Sequence, residues 1–187
     1  MWIFLGSELL LFAGLFGLYT VYRTEYGLEF DAGIHHNQLL LGSTNTVVLI
    51  VSSFTVAWAL YNVRKDKRDT ALAMLGITML LGLAFLVIKG VEYAHHFSEG
   101  VFPGKAYTNL ELPGHGARMF FTLYYLMTGL HALHMIGGLA VMGWVTHRVW
   151  TRRTNRESHT ELHLGALYWH LVDSIWIFLW PLFYLTG

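Results

Sequence analysis

The chain has 187 residues, of which 55% are hydrophobic and only 13% are charged. Its mean hydropathy of +0.45 indicates a protein that folds in lipid and argues against a water-soluble domain. The twelve basic residues balance twelve acidic ones, which argues against a nucleic-acid-binding surface. Because the sequence contains no cysteine, disulfides, iron–sulfur clusters and thiolate-ligated zinc or copper sites are excluded.

The first apolar segment covers residues 1–22. It begins without a basic region and has no small-residue cleavage site, so it is interpreted as a retained helix and not as a signal peptide. A bilayer core about 30 Å thick is crossed by roughly 20 helical residues. Four more segments of suitable length follow, at residues 39–62, 71–95, 117–145 and 164–185. Since lipid leaves only helices or closed barrels to span a membrane, the sequence predicts an all-α membrane protein, a bundle of five transmembrane helices in a single transmembrane domain.

The distribution of basic residues predicts the orientation of this bundle. The second and fourth connections carry four Lys or Arg residues each, at Arg64, Lys65, Lys67, Arg68 and at Arg148, Arg152, Arg153, Arg156. The first connection has one basic residue, Arg23, and the third, residues 98–116, has Lys105, with Arg118 at its edge. Since basic loops stay in the cytoplasm, the N-terminus is predicted to be cytoplasmic and the C-terminus periplasmic. The third connection is then an outer loop, either ordered against a partner or a solvated linker.

Several ionisable side chains fall inside the predicted membrane segments. Each costs roughly 2.5 to 3.5 kcal/mol on insertion scales, so such groups usually turn inward or pair. The ionisable side chains of the first, fourth and fifth segments lie at overlapping depths in the membrane. They are Glu8, His131, His134, His170 and Asp173. We expect Glu8 to hydrogen-bond to His134 or His131 and so to fix the packing of the first segment on the fourth.

Three interpretations of these intramembrane groups are considered. A proton path would need them to be linked by water to both faces, and a haem b site would need His170 to face His131 or His134. The third interpretation is structural, with imidazoles and carboxyl groups paired across helices so that they fix helix orientation. We adopt the structural interpretation, because eleven histidines in the chain make a chance alignment of two easy.

The third segment carries a second polar group near its outer end. Lys89 and Glu92 are three residues apart, and we expect an ion pair whose ends reach the membrane interface. Gly76 and Gly82 in the same segment are expected to let neighbouring helices approach closely. Two histidine pairs also map to the outer side and predict either a metal site or hydrogen bonds to lipid headgroups or a neighbouring subunit; they are His35, His36, His95 and His96.

Four sequence motifs carry a family resemblance. They are WIFLGSELLLFAGLF, IKGVEYAHHFSEG, FFTLYYLMTGLHALHMIGG and LYWHLVDSIWIFLWPLFYL. In this order they resemble subunit III of haem-copper terminal oxidases, the cytochrome c oxidase subunit 3 family. The chain is similar to the short five-helix form, which begins at the third helix of the seven-helix members.

The resemblance implies an accessory subunit without catalytic, metal or cofactor residues, packed beside a catalytic subunit I that holds haem and copper. It implies that the buried polar core of the family comprises Glu8, Glu92, His131, His134, Trp169, His170 and Asp173. Longer members bind phospholipid in a cleft between their first two helices and the remaining five. The short form lacks one wall of that cleft, so a phospholipid site here depends on another subunit.

The function expected from this resemblance is that of a subunit in a proton-pumping respiratory oxidase of the bacterial inner membrane, which reduces oxygen to water. The subunit would stabilise the catalytic subunit, shelter its proton-uptake path and give oxygen access through an apolar interior. An accessory subunit of nitric oxide reductase is the alternative within related complexes. A haem b membrane cytochrome is a rival of another class, and a small transporter is disfavoured because the sequence shows no internal repeat.

Overall fold

The computed structural model describes residues 2–103, 114–154 and 159–186. These ranges contain six helices, α1 (Trp2–Glu25), α2 (Gly27–His36), α3 (Leu39–Arg64), α4 (Arg68–Ser98), α5 (His115–Trp150) and α6 (Thr160–Tyr184). All except α2 are long and apolar enough to cross a membrane, so the predicted bundle of five membrane helices is confirmed. Most of the third connection, residues 104–113, and Arg156 lie outside the described residues, and the predictions made for them stay predictions.

The long helices pack around an aromatic core. Helix α4 packs extensively along α3, and α6 lies against both α3 and α5, whereas α1 touches the bundle mainly through α5. Trp169 and Trp176 of α6 are fully buried and stand among side chains of the neighbouring helices. Since the lipid-facing sides of the helices are equally apolar, burial in this bundle reflects close packing and hydrogen bonding.

Close approach is built into α4 at Gly82 and not at Gly76. A Cβ atom on Gly82 would lie 2.8 Å from a ring carbon of Trp169 and 3.0 Å from a methyl group of Leu139. A Cβ atom on Gly76 would meet nothing within 4 Å. The expectation of close packing is therefore confirmed for Gly82, which lies against Trp169 of α6, and is wrong for Gly76.

The short helix α2 has no counterpart among the predicted elements. It has only ten residues, four of which are ionisable, so it falls well below the length that spans a bilayer. Phe30 and Ile34 are buried beneath it, and the Oε2 atom of Glu29 accepts a 3.1 Å hydrogen bond from the backbone N–H of Ala117. Beyond its end, the Nδ2 atom of Asn37 donates to the carbonyl of Phe183 at 2.9 Å. The segment thus lies across the ends of α5 and α6.

At the opposite end of the bundle, arginines close the helix termini. The guanidinium of Arg68 donates to the carbonyl oxygens of Val149 and Trp150 at the end of α5. Arg148 forms a two-pronged ion pair with Glu161 at the start of α6, with Nε donating to Oε2 at 2.8 Å. A cation near a helix C-terminus interacts favourably with the exposed carbonyl groups. The basic residues that predict orientation therefore also tie α4, α5 and α6 together.

Candidate functional site: buried polar groups between the helices

Glu8 and His134 join α1 to α5. The Nε2 atom of His134 lies 2.6 Å from the Oε2 atom of Glu8, and both side chains are only 14% exposed. The Nδ1 atom of His134 is 2.8 Å from the carbonyl oxygen of Leu130. Helix α1 makes few other contacts with the bundle, so this pair is a main polar attachment of α1. The predicted hydrogen bond from Glu8 to one of the two histidines is confirmed.

Lys89 and Glu92 form the predicted ion pair, with Nζ donating to Oε2 at 3.0 Å. The expectation that their ends reach the membrane interface is wrong, because Lys89 is only 3% exposed and Glu92 is fully buried. Two phenol groups replace water around them. The hydroxyls of Tyr124 and Tyr184 both donate to Oε1 of Glu92.

The ammonium group of Lys89 is surrounded in the same way. It donates to the hydroxyl oxygens of Tyr124 at 2.8 Å and of Tyr184 at 3.0 Å. It also lies over aromatic rings, 4.8 Å from the centroid of Tyr124 and 5.2 Å from that of Trp176. A buried ion pair is tolerated only when further hydrogen bonds satisfy its remaining donors and acceptors. We refer to Lys89, Glu92, Tyr124 and Tyr184 as the buried tetrad, which links α4, α5 and α6.

His131 departs from the expectation that the intramembrane histidines pair with acids. It is fully buried, and neither ring nitrogen makes a hydrogen bond to the described residues. Its ring packs edge-on against Phe85, 5.5 Å between centroids, and tilts against Trp176 at 5.2 Å. His131 therefore acts here as part of the aromatic core.

The family motif in α6 contains Trp169 and His170, which connect α6 to two neighbouring serines of α3. The indole Nε1 of Trp169 donates to Oγ of Ser52 at 3.0 Å, and the Nδ1 atom of His170 lies 2.7 Å from Oγ of Ser53. Asp173, one turn further along α6, is 3% exposed, and neither of its carboxyl oxygens makes a hydrogen bond of normal geometry to the described residues. The structure thus brings all seven predicted core residues into or beside helix interfaces, but in separate groups.

The separation of the imidazoles bears on the haem b hypothesis. His134 is held by Glu8 of α1, whereas His170 is held by Ser53 of α3. The two side chains are therefore held by different helices, and the structure lends no support to a bis-histidine haem site between them.

Three of the four outer histidines, His36, His95 and His96, have partners among the described residues. The Nε2 atoms of His36 and His95 lie 3.0 Å and 3.1 Å from the carboxylate of Glu99, and the ring of His96 stacks on that of His36 with centroids 6.1 Å apart. Within the described part of the chain, no group of three or more His, Asp or Glu side chains is placed to hold a metal ion. The structure therefore lends no support to a metal site at these histidines.

Sequence reasoning missed the hydroxyl groups that satisfy the buried polar residues. No pattern in the sequence singles out Tyr124, Tyr184, Ser52 or Ser53 as partners of the buried polar residues. A usable signal was the depth of each residue, since Glu92 and Tyr184 both fall near the outer ends of segments that run in the same direction.

Comparison with known proteins gives consistent matches over the whole length. The family described as cytochrome c oxidase subunit III matches residues 1–187. The chain is 30% identical to the cytochrome bo(3) ubiquinol oxidase subunit 3 of Pseudomonas aeruginosa, over all of this chain and 83% of that protein. It is 31% identical to the probable cytochrome c oxidase subunit 3 of Mycobacterium leprae, over 97% of this chain and 84% of the relative. A cytochrome c oxidase subunit 3 of Synechocystis is 32% identical, over 98% and 72% respectively.

Proposed function

Because the chain belongs to the cytochrome c oxidase subunit III family, whose members are subunits of haem-copper oxidases, we propose that it is the accessory subunit of a proton-pumping respiratory oxidase that reduces oxygen to water. In this role it carries no haem, copper or catalytic residue of its own. Those groups belong to the catalytic subunit I, against which this chain packs within a hetero-oligomeric membrane complex.

The observation that carries this proposal is the use of the ionisable groups inside the bundle. The carboxyl of Glu8 is hydrogen-bonded to His134 between α1 and α5. Glu92 is enclosed by Lys89 and two tyrosines of α5 and α6. Groups committed in this way fix the helices relative to one another and are poorly suited to exchange protons or ligands with solvent. The arrangement supports a scaffold that stabilises its catalytic partner.

The proposed contribution to catalysis is therefore indirect. A rigid apolar bundle beside subunit I shelters the start of its proton-uptake path and offers oxygen, which partitions into apolar surroundings, a route through the membrane. The names of the relatives include both ubiquinol and cytochrome c oxidases. The proposal covers an oxidase with either electron donor, since the donor site belongs to other subunits.

We also propose that the protein resides in the bacterial inner membrane with its N-terminus in the cytoplasm. Support comes from the basic residues at the α3–α4 and α5–α6 connections, which include Arg64, Lys65 and Arg148, because basic loops resist translocation. The relatives reported above are bacterial oxidase subunits, which favours an oxidase over the nitric oxide reductase alternative.

Affinity purification of the tagged full-length chain tests the proposed function. We expect it to bring down a complex that contains haem and copper and that consumes oxygen when supplied with reduced quinol or cytochrome c. Deletion of the chain should lower the yield or lifetime of that oxidase during turnover, and expression of the wild-type chain should restore both. Purification of the chain alone, or with a reductase that does not consume oxygen, would overturn the proposal.

A further inference from the structure

A groove opens to the membrane between α3 and α6, midway along both helices. Its volume is about 490 Å³, and its walls include Ser53 and Ala57 of α3 and His170, Asp173 and Ser174 of α6. Asp173 borders this opening, and neither of its carboxyl oxygens has a hydrogen-bond partner among the described residues.

The unpaired group is the carboxyl of Asp173. The side chain is 3% exposed, so neither bulk water nor lipid surrounds it. Ser53 stands beside it, but the Ser53 hydroxyl lies 2.7 Å from Nδ1 of His170 and makes no hydrogen bond of normal geometry to either carboxyl oxygen. The Ser174 hydroxyl is also committed, because it donates to the carbonyl of His170 at 2.7 Å. A carboxyl group in an apolar medium needs a hydrogen-bond partner whether or not it is ionised, and the groove is the direction from which one can arrive.

The shape of the groove fits a helix. It runs along about two turns of each wall helix, from Leu49 to Ala57 and from His170 to Ile177. Its floor has small side chains at Ser53 and Ala57, four residues apart, and such small-xxx-small patterns let a second helix backbone approach closely. Its rims carry large side chains that project into lipid, with Phe54 61% and Ile177 47% exposed.

We infer that this groove is the docking surface for a transmembrane helix of another oxidase subunit, and that this helix places one side-chain hydrogen-bond donor against Asp173. The donor is a hydroxyl, amide or indole N–H, because a buried cation would add a large desolvation cost. Phospholipid headgroups are a poorer match, since their polar atoms lie at the interfaces and Asp173 lies midway along α6. The inference rests on the proposed function, because it requires a complex.

Site-specific photo-crosslinking in the purified complex tests the docking surface. Replacing Phe54 by p-benzoylphenylalanine keeps an aromatic ring at the rim of the groove. Phe178 is the matched control, because it is 66% exposed on α6 and packs toward Phe16 of α1. We expect a polypeptide adduct from position 54 that maps to a membrane helix with a polar residue near its middle, at a yield at least several-fold above that from position 178. Lipid or quinol adducts alone at position 54, or the same subunit peptide at equal yield from both positions, would overturn the inference.

Substitution of the carboxyl group gives a second readout. Asp173→Asn keeps a hydrogen-bonding side chain and should leave retention of the chain in the detergent-solubilised complex within about twofold of wild type. Asp173→Leu and Ala57→Phe should each lower retention by about three- to fifteen-fold. Ala57 is exposed, so Ala57→Phe should leave the thermal unfolding of the isolated chain unchanged. Normal retention of Ala57→Phe would contradict the inference.

The two tests also separate the inference from the proposed function. If the wild-type chain co-purifies with the oxidase but position 54 gives no polypeptide adduct, the docking surface is wrong and the function stands. If the chain does not co-purify with an oxidase, the proposed function itself fails.

Discussion

The imidazole of His134 joins the Glu8 carboxyl of α1 to the Leu130 carbonyl of its own helix. A carbonyl oxygen only accepts hydrogen bonds, so Nδ1 of His134 carries a proton. The contact with Glu8 then holds one further proton, on either the carboxyl oxygen or Nε2, and the pair is electrically neutral overall in both cases. Neutrality of this kind lets two polar side chains sit at the lipid-facing edge of the bundle at low cost.

Replacement of Glu8 discriminates between hydrogen bonding and charge in this pair. Glu8→Gln should assemble normally, because its amide N–H can donate to Nε2 of a neutral His134. Glu8→Leu leaves Nε2 unpaired and should weaken attachment of α1 by about 0.6 to 1.7 kcal/mol, measured as earlier loss of the subunit from the complex during detergent titration. Wild-type retention of Glu8→Leu would show that the bond does not hold α1, and equal loss of both variants would show that the charge of Glu8 matters more than its hydrogen bond.

Disruption of the buried tetrad should have a larger effect. Lys89→Met removes the cation and leaves Glu92 buried with only the two tyrosines, so the free energy of unfolding should fall by up to about 3 to 5 kcal/mol. The double variant Lys89→Met/Glu92→Gln removes both charges together and should recover much of the loss. Thermal unfolding of the purified protein measures both. A double variant less stable than Lys89→Met would contradict the ion-pair account.

The two glycines of α4 provide a packing test with an internal control. Gly82→Ala places a methyl group 2.8 Å from the Trp169 ring, and such overpacking should destabilise the bundle by about 1 to 3 kcal/mol. Gly76→Ala meets no neighbour within 4 Å and should be neutral or slightly stabilising, because alanine favours helix. Circular dichroism melting of the two variants should therefore shift in opposite directions or differ clearly in size.

Topology can be tested because the chain has no cysteine. A single cysteine at Lys65, between α3 and α4, should resist a membrane-impermeant maleimide in intact cells. A single cysteine at Leu28 of α2, which is 90% exposed, should be labelled. The reverse pattern would invert the proposed orientation.

Haem content tests the proposed lack of cofactors in this chain. His131→Leu and His170→Leu should leave the haem-to-protein ratio of the intact complex unchanged, because the first ring packs on Phe85 and the second is held by Ser53. Pyridine haemochrome spectra of the purified variants give the ratio. Loss of one haem per complex in either variant would identify a ligand.

The membrane helices follow from sequence because bilayer thickness imposes a length that only long apolar runs meet. The helix α2 escapes this criterion. Its stability depends on Phe30 and Ile34 being buried against other helices, which is information that a ten-residue window does not contain.

Pairs of buried polar residues can be predicted from the sequence where their depth in the membrane alone determines which residues meet. Glu8 and His134 are 126 residues apart in sequence, yet their positions along antiparallel segments place them at one level, and the hydrogen bond between them was expected. The Lys89–Glu92 pair was also expected from its spacing, but its burial was not. Burial depends on which faces of α5 and α6 turn toward α4, and this is set by packing of the whole bundle.

The buried tetrad has a consequence for biogenesis. Helices α4 and α5 are synthesised before α6, so until α6 is inserted the Glu92 carboxylate has Lys89 and Tyr124 as partners but not Tyr184. A chain interrupted before α6 therefore exposes a poorly satisfied charge within the bilayer. Membrane proteases and insertion factors that recognise an unsatisfied charge in the bilayer would distinguish unfinished chains from complete ones. The hydrogen bond from Tyr184 to Glu92 would then form only in a chain that is ready to assemble with its partners.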